Sequence, residues 1–234
     1  MSLTKLIFGV YPYICLTVFV IGSWIRYDNE QYTWKTDSSM LLSKSGMLVA
    51  SNLFHVGVLM IFLGHFAGLV LPHGLWLALG VSDLTHQWIA IWAGLVFGTM
   101  CLLGGSFLWY RRMYNPRIRL NSRRSDVFVI TWLMITLILG LSTIPFSIGH
   151  ANNGDPAVML ALADWVKSVL LLNPQPELME QVDPIFRAHI FFGMTVFLAF
   201  PFTRLVHILT APFNYLGRAY QIVRTKRRIE ARQS

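Results

Sequence analysis

MLVASNLFHVGVLMIFLGHFAGLVL, residues 47–71, decides the fold, because it contains no Asp, Glu, Lys or Arg and its only ionisable side chains are His55 and His65. A segment apolar on every side has no face to offer water. An α-helix crosses a hydrocarbon core in about 20 residues, so this stretch is long enough to span a bilayer. Leu3–Trp24, His86–Tyr110, Asp126–Ile148 and Pro184–Thr210 are of similar length and also mostly apolar. Lipid offers no hydrogen bonds to an open backbone, so each run closes its amides as a helix, and no alternating barrel pattern is visible. The expected fold is an all-α membrane protein, a five-transmembrane-helix bundle over residues 1–210, with a basic tail over residues 211–234.

Composition supports this. Of the chain's residues 55% are hydrophobic and only 13% charged, whereas a soluble domain carries charge on about 25%. The net charge of +8 would suit a nucleic-acid partner. The basic residues, however, stand in short blocks beside apolar runs, as membrane topology requires, so no nucleic acid is expected. A sixth apolar run, 157–172, holds Asp164 and Lys167 in its middle and is bracketed by Pro156 and Pro174. It reads as an amphipathic helix lying at the membrane interface. The first run has no small-residue cleavage site and is expected to be a retained span rather than a signal peptide.

Orientation follows from the Lys and Arg of the loops. Arg26, Lys35 and Lys44 follow span one. Arg111, Arg112, Arg117, Arg119, Arg123 and Arg124 lie between spans three and four, and Arg218, Arg224, Lys226, Arg227, Arg228 and Arg232 are in the tail. The alternate segments are nearly free of positive charge, Lys167 being outweighed by Asp155, Asp164, Glu177, Glu180 and Asp183. The N-terminus is expected outside and the C-terminus in the cytoplasm, with the basic tail able to meet anionic lipid or a partner subunit.

Intramembrane ionisable groups are costly and mark function. One histidine in a span is as consistent with packing as with chemistry. Here there are four, two on each of two helices: His55 and His65 on span two, His189 and His207 on span five. A helix rises about 1.5 Å per residue, which places His55 and His65 about 15 Å apart and His189 and His207 about 27 Å apart. The two spans run in opposite directions, so His55 comes level with His207 and His65 with His189. Each pair can supply two axial imidazoles to one iron, giving two six-coordinate haems, a layout for electron transport rather than oxygen binding. The unequal separations require tilt, and Pro201 can bend span five.

Other features bear on the same chemistry. Cys15 and Cys101 form no CxxC, which excludes an iron–sulfur cluster or structural zinc held by this chain alone, and without CxxCH any haem is non-covalent. The HExxH and HxxxH patterns of compact metal sites are missing. Gly57, Gly64, Gly68 and Gly193 would let a flat macrocycle approach the backbone, and small residues also serve ordinary helix contacts. Arg204, three residues before His207, shares its face and can pair with a haem propionate. His86 opens span three at the level of the His65–His189 pair, where an imidazole could accept a proton from a lipid-soluble quinol.

Three stretches, YPYICLTVFVIGSWIRYDNEQYTW (11–34), ASNLFHVGVLMIFLGHFAGLVLPH (50–73) and IFRAHIFFGMTVFLAFPFTRLVHI (185–208), strongly resemble the gamma subunit of membrane-bound respiratory nitrate reductase, and the likeness runs nearly the whole chain. It implies haem ligation by His55 with His207 (proximal) and His65 with His189 (distal). The resemblance further implies a quinol site beside the distal haem, lined by Gly64 and His65. A family lysine there aligns with the start of span three, where this chain has His86. It implies a cytoplasmic iron–sulfur beta subunit and a molybdenum-containing alpha subunit as partners, nitrate being reduced on the latter. Two other classes remain: a di-haem cytochrome b anchor of another oxidoreductase, and a haem-free transporter or assembly scaffold.

Overall fold

The computed structural model describes residues 2–30 and 46–209, so Lys35, Lys44 and the basic tail 211–234 lie outside it. Five helices in it are long and apolar enough to cross a membrane: Leu3–Asn29, Met47–Val70, Asp83–Tyr114, Arg124–Asn152 and Pro184–Phe202, here spans one to five. Spans one, three and four run further than hydropathy alone suggests. Polar residues can extend a helix once its end is in water or headgroups, and caps then set the limits. The Ser82 hydroxyl accepts the Thr85 amide at span three, and the Asp126 carboxylate accepts the Arg123 amide at span four.

The spans pack in the order two, three, four, five, one. The seam between two and three is the closest. A Cβ on Gly57 would stand 2.7 Å from the Cys101 amide nitrogen, and one on Gly104 2.5 Å from that of Phe54. Small residues that let backbones approach are what joins helices in lipid, where no hydrophobic effect does so. Gly57 therefore serves the helix seam, not a macrocycle. Most of the rest of span two is open, with Leu48, Val49, Val56, Leu59, Phe62 and Leu63 exposed.

One end of the bundle is crowned by the helix Ala157–Leu170, which packs on the turn Phe66–Val70 that ends span two and on the 3-10 turn Pro176–Gln181. Trp165, Val169, Met179, Val182 and Phe186 form a buried cluster there with Phe8. Phe8 lies in a π-helical turn, Leu6–Val10, and its carbonyl accepts the Trp165 indole N–H at 3.0 Å. A loosened backbone group thus regains a partner. Asp164 and Lys167 pair at 3.3 Å on the helix's more exposed side, giving the two-sided character its sequence announces. The opposite end carries the turn Asn115–Arg123 and its arginines.

Span five departs from expectation. The sequence suggests one helix to Thr210, with His189 and His207 on one face. In the structure the α-helix stops at Ala199 and tightens to a 3-10 turn over Phe200–Phe202. Thr203 then becomes extended, and a second 3-10 turn runs Arg204–Ile208. Pro201 is the cause, since it has no N–H to continue the ladder and its ring crowds the preceding turn. The separation of about 27 Å assumed one straight helix from His189 to His207, and the break after Ala199 removes that assumption. The break is held by span one: Arg26 Nη1 donates to the carbonyls of Pro201 at 2.6 Å and Thr203 at 2.8 Å.

Candidate functional site

All four intramembrane histidines share one local arrangement. The Nδ1 of His55 lies 2.7 Å from the Ser51 carbonyl, that of His65 2.8 Å from Ile61, that of His189 3.0 Å from Thr136 and that of His207 2.6 Å from Arg204. A carbonyl can only accept, so each Nδ1 carries the hydrogen and each Nε2 keeps its lone pair. This is the tautomer, oriented from behind, that metal-binding histidines use.

Spans two and five bring one histidine of each close together at the crown end. His65 and His189 face each other with centroids 6.1 Å apart and planes inclined 45°. Two imidazoles bound to one metal through bonds of about 2.0–2.1 Å place their ring centres about 6 Å apart, so this separation admits a shared ion. His55 and His207 lie within electrostatic range of each other at the arginine end. Spans two and five share no packed seam like that between two and three. Beside the His65–His189 pair, a Cβ on Gly64 or Gly193 would meet nothing within 4 Å. Among the described residues no group of three or more His, Cys, Asp and Glu converges to hold a metal ion. Two imidazoles at each end could serve a metal whose equatorial ligands come from a macrocycle.

Span four completes the His189 site although it carries no ligand itself. Thr136 supplies the carbonyl, and Gly140 supplies the space: a Cβ there would stand 2.8 Å from His189 Cε1. At the arginine end, Asp126 of span four binds Arg112 at 3.1 Å and Arg204 at 3.5 Å. Arg204 is thus anchored within the chain while its carbonyl orients His207.

His86 is buried and stacked on Trp76, centroids 4.2 Å apart and planes 24° apart. Its Nε2 is 3.7 Å from where a Gly68 Cβ would be, in the π-helical turn Phe66–Val70 that directly follows His65. The structure brings His86 to the crown end with His65 and His189. His73 pairs with Asp83 at 3.3 Å and His150 with Asp183 at 3.5 Å near the same end.

Comparison with known proteins agrees with this architecture. The sequence model of the family described as "Nitrate reductase gamma subunit" matches residues 4–226. The chain belongs to this family. It is 45% identical over 221 residues to the respiratory nitrate reductase 2 gamma chain of Escherichia coli (strain K12), covering 94% of this chain and 96% of that one. Identity to the respiratory nitrate reductase 1 gamma chain of the same strain is 44% over 228 residues, with 96% and 98% covered. The nitrate reductase gamma chain of Bacillus subtilis (strain 168) is 35% identical over 222 residues, with 95% and 98% covered. As a member of the gamma-subunit family with five apolar helices, the chain is a multi-pass protein of the bacterial membrane.

Within this gamma-subunit fold, four contributors are not evident from sequence patterning. Thr136 and Gly140 sit on a span without intramembrane histidines. Trp76 lies in a connecting segment, and Arg26 counts only as a topological charge. Pro201 is the one written signal, since a proline inside a span announces a break that then needs hydrogen-bond donors.

Proposed function

We propose that this chain is the quinol-oxidising, di-haem b membrane subunit of a respiratory nitrate reductase, taking electrons from quinol and delivering them to a cytoplasmic iron–sulfur beta subunit, with nitrate reduced on a molybdenum-containing alpha subunit. The observation that carries it is the set of four Nδ1-to-carbonyl hydrogen bonds, which orient four imidazoles in the same way on spans two and five. A haem iron held by two imidazoles supplies one-electron transfer with no position open to oxygen. His55 and His207 would hold one haem and His65 and His189 the other, with the backbone carbonyls fixing ring orientation. Arg204, three residues from His207 and paired with Asp126, would turn its remaining guanidinium donors to a propionate.

Quinol oxidation to quinone releases two electrons and two protons. His86 is the residue for the protons: a neutral imidazole beside the turn after His65 can hydrogen-bond a quinol hydroxyl and take its proton. Gly64 and His65 line the same end. The loop arginines put the His55–His207 end in the cytoplasm and the His86 end outside, so the protons would leave outward. The names of the relatives, all nitrate reductase gamma chains, support nitrate as the acceptor of the assembled complex.

Haem quantified per chain in purified complex, with a reduced-minus-oxidised visible spectrum, tests this. Two non-covalent b haems per chain are expected. One would mean a pair is mis-assigned, and none, in membranes prepared with haem available, would contradict the function.

A further inference from the structure

The break in span five poses a problem that the sequence elsewhere solves. In lipid, a carbonyl released from the helical ladder costs free energy unless another donor reaches it. Pro201 and Thr203 both present such carbonyls, and one guanidinium nitrogen of Arg26, from the last turn of span one, donates to both. The Thr203 hydroxyl closes the same corner, donating to the Phe200 carbonyl at 3.1 Å and accepting the Leu205 amide at 3.3 Å. Leu205 and Val206, just beyond, are buried against Phe200 and Val129. The next residue is His207, whose ring is oriented by the Arg204 carbonyl within the same short turn. A 3-10 turn of five residues has little rigidity of its own. Its direction is therefore set by what pins the corner before it.

We propose that Arg26 is a positioning residue for His207, a clamp from span one that fixes the broken end of span five so that the His207 imidazole faces His55. The proposal rests on the haem-binding function above and goes beyond it, because Arg26 is neither ligand nor neighbour of the haem-binding nitrogen. It acts only on the His55–His207 site. The His65–His189 site draws its support from span four, through Thr136 and Gly140, and lies on the unbroken part of span five.

The test uses the complete complex in native membranes, with R26Q and R26K compared with H207A. Haem per chain, the midpoint potential of each haem and the low-spin ferric signals are read, with chain abundance measured by immunoblot. H207A should lose one haem; if it does not, the haem assignment itself fails. With that control in place, R26Q should lose or shift in potential and ferric signal the same haem that H207A removes, leaving the other unchanged. R26K, which keeps a charged donor, should restore part of it. Two haems with parental potentials in R26Q would overturn the proposal. So would equal loss of both haems at normal chain abundance, since Arg26 would then support the bundle as a whole.

Discussion

Gly140 of span four lies directly against the imidazole of His189, so closely that a methyl group at Gly140 would come within 2.8 Å of Cε1. Span four thus sets the position of a histidine on span five. Gly140→Ala forces the ring to move, and Gly140→Val forces it further. Overpacking of this kind costs about 1–3 kcal/mol. The expected outcome is weakened retention of one haem, graded from Ala to Val, with the His55–His207 haem intact. Haem content and the separate redox titration of each haem read this directly.

A different glycine should give a different result. At Gly104 the groups in the way are backbone atoms, the Phe54 nitrogen at 2.5 Å and the Ala50 oxygen at 2.6 Å, and neither can swing aside. Gly104→Val should therefore push span two off span three. Span two carries one histidine of each proposed pair, so both haems should fall together, unlike the single loss at Gly140. Haem per chain in the two variants side by side distinguishes the cases.

His86→Leu should leave both haems in place and slow quinol oxidation. Positioned acid–base groups contribute typically about 10²–10⁴-fold, so a fall in kcat of at least about tenfold is expected. Stopped-flow reduction of the haems by a quinol analogue measures it. A variant that loses a haem, or oxidises quinol at the parental rate, contradicts the assignment.

Asp126 sits between Arg112 and Arg204 with its side chain only 11% exposed. Asp126→Asn removes the charge that both guanidiniums share. Breaking a buried ion pair from one side costs about 3–5 kcal/mol. The detergent-solubilised complex should melt at a lower temperature, and the His207 haem should be released before the other on heating. Simultaneous release of both haems would mean Asp126 has no particular relation to His207.

Much of this was legible from the residues alone. Long apolar runs with few charges had to be helices in lipid, and His55, His65, His189 and His207 stood out because an imidazole in a span needs a reason. The antiparallel order of spans two and five then paired them. What the pattern could not carry was direction at the broken end. Pro201 announces a disturbance, yet whether a span bends or stops depends on donors elsewhere in the chain, here Arg26. Gly57 was left open between two roles for a related reason: a small residue beside a histidine looks the same whether it admits a cofactor or a neighbouring helix, and its closeness to Cys101 decides for the helix. His86 was singled out by its place at the start of span three, whereas its stacking on Trp76 depends on how a short connecting helix folds back.

The most direct test of the central claim, that the four histidines form two cross-span pairs, is to replace each singly with alanine and record which haem disappears, by potential and ferric signal. H55A and H207A should remove one haem and leave the same survivor, while H65A and H189A should remove the other. A survivor shared instead by H55A and H65A, or by H189A and H207A, would contradict the pairing.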